Sequence, residues 1–506
     1  MKKIFTLDSI LTPYKEFWKE CPLFLYGISY LLGISAALSH CSFLYFFLAI
    51  CFFFPLKKAL FFLSLAVTLF GYLLALHIAP EPLTEGAMYE GTGYFSISSI
   101  SPSTSFVPKL TYKGTLHYFS SSDKTFSTKQ MPCTVYFADI PNHPNGNFDY
   151  ILCGTLFSMS PYATVCKVKK DQWILKRPNH SLVELRFRVK NFCRKFFITH
   201  IFHKRSADFL SALATGELDE NFIKFSFANL GLQYIMVISG FHFGILVLSL
   251  ALLLRPFLSF RYLTITLLLL VNLYFLFLGT SPPVERAWIS VQLVLLGKLL
   301  NKRTFSINVL GLALLIELFQ DPLNALNIGF QLSFLSTAYI LLGYTPCEKM
   351  FHRFLKKHEP YSLHPLSQIG EKILSLLREG LSLTIVVNLA VIPVVLFHFH
   401  TFPLLGFFYN LFFPILIGIV IFLIVLLVLC HLLLPPLGFV MDFLTTYFTK
   451  WTLDFVSFPP VSLQYSIRIS EISTPLLLIY IACISFFFVL LKQRTKTREQ
   501  DVFQIL

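Results

Sequence analysis

Four residues in YIMVISGFHFGILVL (Tyr234–Leu248) set the first chemical question. Ser239, Gly240, His242 and Gly244 stand inside an otherwise apolar stretch. Polar groups at membrane depth are costly and usually face a bundle interior or a hydrated path. Gly240-x-x-x-Gly244 permits close helix approach, and Ser239 and His242, three apart, share a helix face. The bland alternative is a packed glycine seam whose histidine bonds a neighbouring carbonyl. Two more sets sharpen the choice. TSPPVER (Thr280–Arg286) opens another apolar helix: Pro283 suits the first turn, and Arg286 enters the bilayer or snorkels to headgroups. NIGFQLS (Asn327–Ser333) places Gln331 and Ser333 inside an apolar run, and Asn388 and Asn410 add amides further on. Hydrophilic groups on several separate helices suggest a polar lumen. The chemistry they offer is conduction and helix packing.

Covalent chemistry finds no such support. The chain has no G-x4-GK[ST] phosphate loop, no HExxH, no Cys-x2-Cys pairs and no specific catalytic triad. The expectation is no enzyme, no cofactor and no metal.

The elements that position these residues belong to a membrane. The chain has 506 residues, 55% hydrophobic and 13% charged, against about 25% charged in soluble domains. Leu23–Pro55 is an apolar run broken near Ser39-His40-Cys41, which suits two short helices, and Ala59–His77 follows. Residues 1–79 thus predict about three spans. From Leu230 to Leu491 nine further apolar segments follow, the weakest being Leu437–Val456 with Asp442, Lys450 and Asp454. Thr401–Pro414 is a candidate re-entrant stretch. The total is about 12 transmembrane helices over 1–79 and a membrane domain at 207–492, with a basic tail at 493–506. Lysines flanking the first helices place the residues after the third helix outside by the positive-inside rule.

Residues 80–176 differ. Short alternating runs such as KLTYKGTLHYF and MPCTVYFADI, punctuated by Gly, Pro and Asn, predict an all-β domain, barrel or sandwich, on the external side. Cys133, Cys153, Cys166 and Cys193 are free thiols or disulfide partners there. Residues 177–206 follow as a basic amphipathic helix lying in the interface: Leu182, Leu185, Val189, Phe192 and Phe196 make one apolar face. Between Cys166 and Arg205 about a dozen Lys and Arg oppose two acids. Lys167, Lys169, Lys170, Arg186, Arg188, Lys190, Arg194 and Lys195 thus form a positive collar for lipid or nucleic-acid phosphates. Net charge is +14, but membrane proteins are commonly basic, so the excess by itself assigns no partner.

Four segments in order resemble one family. FLSALATGELDENFIKFSFANLGLQYIMVISGFHFGIL (Phe209–Leu246) resembles the competence domain of ComEC proteins, with its "ISGLH-x-G" hallmark. GTSPPVERAWIS (Gly279–Ser290) resembles its "P-S-x-x-RA" segment, with Pro283 at the serine position. DPLNALNIGFQLSFLST (Asp321–Thr337) resembles "DP…GFQLSF", and FHFHTFPLLGFFYNLFFP (Phe397–Pro414) is similar to a later segment. The resemblance implies an external OB-like β domain and a channel in the bacterial inner membrane admitting single-stranded DNA during natural transformation. It implies a passive channel, an extracytoplasmic DNA receptor and a separate cytoplasmic helicase-like ATPase as partners, with membrane lipids around it. A homo-oligomer stays open. Ser239, Gly240, His242, Gly244, Arg286, Gln331 and Ser333 become the expected DNA path. Phe241 replaces the hallmark leucine and Phe243 follows the histidine, so bulkier flanks reshape that path. His398-Phe399-His400 imitates half of a metallo-β-lactamase metal cluster without its Asp-His. Any nuclease is expected to be a separate protein. A transporter of another anionic or lipid-linked substrate, or a non-conducting scaffold, is the competing expectation.

Overall fold

A computed structural model describes residues 7–505 apart from 40–41, 104–108, 122–124, 127–129, 139–141, 219, 303, 355–364 and 458–464. Four helices come first: α1 (Leu7–Glu20), α2 (Pro22–Leu38), α3 (Ser42–Phe53) and α4 (Lys58–Ile78). Leu23–Pro55 does form two helices. Pro22 at the head of α2 lacks the amide proton that would continue α1, and α1 and α2 meet at 96°.

Next come β1 (Met88–Ser103), β2 (Lys109–Ser121), β3 (Thr125–Phe126), β4 (Met131–Phe137), β5 (Phe148–Ser160) and β6 (Ala163–Pro178). The sheet order is β1-β5-β6-β4-β2-β3, and β1 also pairs with β2. The five long strands therefore close into a barrel. All pairs are antiparallel except β4–β6, which is parallel. This is the order and sense of a five-stranded OB barrel. The alternating residues of β4 explain the closure: Met131, Cys133, Val135 and Phe137 point into a core with Phe95, Tyr112 and Leu152. Cys133, Cys153, Cys166 and Cys193 are all free thiols.

The rest is helical: α5 (Val183–His200), α6 (Lys204–Thr215), α7 (Asn221–Asn229), α8 (Gln233–Met236), α9 (Gly240–Leu254), α10 (Phe260–Leu278), α11 (Pro282–Leu299), α12 (Ser306–Gln320), α13 (Ile328–Phe354) and α14 (Pro365–Phe399). After β7 (Thr401–Pro403) come α15 (Leu405–Leu433), α16 (Pro435–Ser457), β8 (Ser466–Arg468) and α17 (Thr474–Ile505). β7 pairs with β8, so Thr401–Pro403 is one strand of a short ribbon and the rest of Thr401–Pro414 leads into α15.

The expected count of about 12 spans is not met. Among the described residues six helices are long and apolar enough to cross a membrane, or seven if the bent α1–α2 pair is one span. They are α4, α10, α13, α14, α15 and α17. The physical reason is length and charge. α3, α9 and α12 have 12, 15 and 15 residues, short of the ~20 a bilayer core requires. α11 carries Glu285, Arg286 and Lys298, and α16 carries Asp442, Lys450 and Asp454. The protein is a multi-pass membrane protein with several half-length helices.

Two apolar cores organise it. Trp18, Phe24 and Ile34 of the first helices share one core with Leu314 of α12, Tyr339 of α13 and Phe488 of α17. Phe209, Leu213 and Phe227 share another with Phe413 and Ile417 of α15 and Leu453 of α16. α5 joins barrel to membrane domain: Val183 and Phe187 enter the barrel core, while Phe197 at its other end enters the second helical core.

Candidate functional site: a buried arginine and an aromatic–cationic face

The segment quoted first is not one continuous helix. α8 ends at Met236, Val237–Ser239 is non-helical, and Ser239 is the N-cap of α9. Ser239, Gly240, His242 and Gly244 therefore cluster at a helix start and not at mid-helix. Residues of Ser type favour a cap over a helix interior because their side chains compete for backbone partners. The Ser239 backbone N–H donates to His242 Nδ1 at 3.4 Å.

Arg286, in the second turn of α11, is 6% exposed. Its Nε–H donates to Ser333 Oγ at 2.8 Å, and Nη1 donates to Thr337 Oγ1 at 2.7 Å. Ser333 and Thr337 lie one helical turn apart on α13, so a single helix face presents two acceptors to one guanidinium. Its Nη2 lies 3.0 Å from where a Cβ on Gly240 would stand. A side chain at Gly240 would press on the guanidinium and make it shift by a few tenths of an ångström. Three of the four motif segments meet here. Glu317 of α12, fully buried with neither carboxylate oxygen partnered by a hydrogen bond, acts electrostatically on Arg286.

The other expected path residues diverge. Gln331 donates to the Ala325 carbonyl at 2.9 Å, and its Oε1 pairs with His398 Nε2 at 3.0 Å. His398 thus takes part in an amide contact, while His400 sits exposed at a turn with a positive φ. The buried Nε2 of His242 has no hydrogen-bond partner. It borders a cavity of about 380 Å³ lined also by Phe196, Tyr274, Ile421 and His431. Apart from its chain neighbours and its own helix backbone, no heavy atom lies within 4 Å of a Cβ built on Gly244. The set expected to share one lumen is split among the arginine cluster, the Gln331–His398 contact and an apolar cavity.

The collar divides too. Lys190 Nζ bonds Glu217 at 2.8 Å, Arg194 approaches the same carboxylate at 3.6 Å, and Arg186 donates to the Leu276 carbonyl at 2.8 Å. These three fasten α5 to the membrane domain. Lys167, Lys169, Arg188 and Lys195 are exposed, with Arg188 paired to Glu184 at 2.9 Å; the Lys170 side chain is outside the described set. Leu182, Leu185, Val189 and Phe192 on α5 stay exposed and form an apolar stripe suited to lipid.

One barrel feature had no sequence signal. Lys176 on β6 holds its ammonium 3.9 Å above the Tyr94 ring and 5.3 Å from Tyr118. Tyr94 O–H donates to Asp149 at 2.6 Å, as do Arg177 Nε–H and the Asn179 amide at 2.9 Å each. Burial opposes ionisation of Asp149, but the donors Tyr94, Arg177 and Asn179 outweigh it and hold its carboxyl below the usual range. His117 stacks near Tyr94, and burial lowers its pKa. The result is a small platform of aromatic rings and cations across β1, β2 and β6. Spacing along the sequence cannot find it, because Tyr94, Tyr118, Asp149 and Lys176 are 24 or more residues apart and meet only through strand pairing.

Fold and site together define a class: a multi-pass helical membrane protein joined through a basic helix to an OB-type barrel, with a buried arginine among its shared motifs. Residues 214–494, more than half of the chain, match the family described as Competence protein. The chain belongs to that family, in accord with the ComEC resemblance. It is 26% identical over 204 residues to ComE operon protein 3 of Bacillus subtilis (strain 168), an alignment covering 40% of this chain and 23% of that protein. No solved structure matches.

Proposed function

We propose that this protein is the inner-membrane passage through which single-stranded DNA enters the cytoplasm in natural transformation. One observation carries the reading: the Arg286 guanidinium abuts the start of α9 at Gly240. A helix N-terminus has unsatisfied N–H groups and a positive dipole end. The buried guanidinium beside it adds to that positive potential, which acts at a distance on an anionic strand. Broken helices lining membrane transport sites use the same device. The barrel stands outside the cytoplasm and receives the strand: the exposed Tyr118 with Lys176 beside it matches the aromatic-plus-cation arrangement of single-strand binders. The role is passive, with no covalent step. An extracytoplasmic receptor delivers the strand and a separate cytoplasmic ATPase pulls it.

A second reading, transport of a lipid-linked anion, draws on the apolar cavity between His242 and His431, which suits an acyl chain. Deleting the gene and following labelled DNA into the cytoplasm separates the two. Loss of uptake is expected, restored by the native gene but not by Arg286→Leu at equal membrane abundance. Undiminished uptake in the deletion strain ends the DNA reading.

A further inference from the structure

Where α5 ends, three polar side chains from three elements converge. His200 is the last residue of α5, His431 lies in the last turn of α15, and Asp442 is in α16. One ligand-capable atom of each lies within 4.8 Å of the others. Asp442 Oδ2 is 3.5 Å from His200 Nδ1, and Oδ1 is 3.4 Å from His431 Nε2. Donors at about 2.0–2.1 Å from one tetrahedral ion stand about 3.4 Å apart, and the two imidazole–carboxylate distances are close to that value, each to a different oxygen of Asp442.

The proton inventory points the same way. His431 Nδ1 lies 3.0 Å from the Leu427 carbonyl, a contact it makes as an N–H donor. In neutral imidazole the other nitrogen is then a bare lone pair. That nitrogen faces a carboxylate oxygen, and two lone pairs repel unless a cation or a second proton lies between them. Asp442 is 6% exposed, and its Oδ1 has no hydrogen bond. A buried carboxylate oxygen without a donor is costly. The Leu427 bond meanwhile holds the His431 ring in one orientation and tautomer, as outer-shell partners of metal-bound histidines do. Gly438 makes room: a Cβ there would stand 3.0 Å from the imidazole Nε2 and Cε1. The Phe196 ring, 4.6 Å from His200 and 5.3 Å from His431, shields the cluster.

We propose that His200, His431 and Asp442 bind one divalent first-row transition-metal ion, with zinc the best fit. Two imidazoles and a carboxylate are a borderline nitrogen–oxygen donor set, which suits zinc better than the all-oxygen ions magnesium and calcium. Water completes the fourth position. The ion staples the lower end of α5 to the α15–α16 pair, and since the upper end of α5 carries Val183 and Phe187 of the barrel core, it sets how the barrel is held on the membrane domain.

The test uses the full chain, tag removed, in detergent and stripped with chelator. Added zinc alone is expected to bind one per chain by calorimetry and metal analysis, and to raise the unfolding temperature. Magnesium at the same concentration leaves it unchanged. His200→Ala, at a helix end and partly exposed, keeps its helical spectrum but loses zinc affinity by about tenfold or more. His200→Cys, which supplies a thiolate ligand, recovers it. Wild type that takes up no more zinc than His200→Ala, or that responds equally to magnesium, overturns the site and leaves a protonated His431 bound to Asp442.

Discussion

At the scale of single residues, two buried charges of this protein, Arg286 and Asp149, are matched by hydrogen-bond partners, while Glu317 and one oxygen of Asp442 are not. Arg286 reaches Ser333 and Thr337 with geometry short enough for strong bonds, because an unpaired guanidinium in apolar surroundings would cost several kcal/mol. Asp149 is the barrel's counterpart. Held below its usual range when folded, it binds fewer protons folded than unfolded at mildly acid pH. Its contribution is therefore fully present above the unfolded value of about 3.9 and lost as pH falls through the lower folded value. Asp149→Asn is expected to cost about 1.5–3 kcal/mol of barrel stability at pH 7. The deficit should vanish at strongly acid pH. Opening free energies of β5 and β6 by hydrogen exchange, compared between variant and wild type at each pH, measure it; a constant deficit would show that charge plays no part.

At the scale of elements, the break before α9 and the face of α5 decide what is presented. The alternating threes and fours of Leu182, Leu185, Val189 and Phe192 were legible in the sequence, and the structure leaves that stripe exposed. The second use of the helix was not legible. Val183, Phe187 and Phe197 pack on two different partners, and no periodicity reports a partner. Helix breaks are equally hard to read, since an apolar run through Val237-Ile238-Ser239 scores as continuous. The barrel platform yields a prediction at this scale. Tyr118→Ala should weaken single-stranded DNA binding by about 1–3 kcal/mol. Lys176→Ala should lower the salt dependence by about 0.7 in log–log slope. Salt titrations of DNA binding by the full chain are the measurement, and an unchanged slope with Lys176→Ala would remove that lysine from the interface.

At the scale of the whole molecule, the N-terminal helices are built into the membrane domain. Gly311 of α12 meets Phe24 of α2 so closely that a Cβ would stand 2.4 Å from its backbone. Lys496 of α17 pairs with Glu20 at the end of α1 at 2.6 Å. Gly311→Val should separate α2 from α12 and cost about 1–3 kcal/mol by overpacking. The readout is a lower unfolding temperature in detergent with unchanged membrane targeting; an unaltered midpoint would mean that the two helix groups are independent.

Composition and local period alone determined that this is a helical membrane protein with an inserted β domain, because apolar length and alternation are properties of neighbours in the chain. The four motif segments were visible for the same reason. Tertiary structure alone decided which polar residues meet. Arg286 finds Ser333 and Thr337, 47 and 51 residues on, while His242 turns to a different cavity. His200 finds Asp442 across an entire membrane domain. Such meetings depend on how helices pack and where they break, and a one-dimensional pattern carries no distance between residues that far apart.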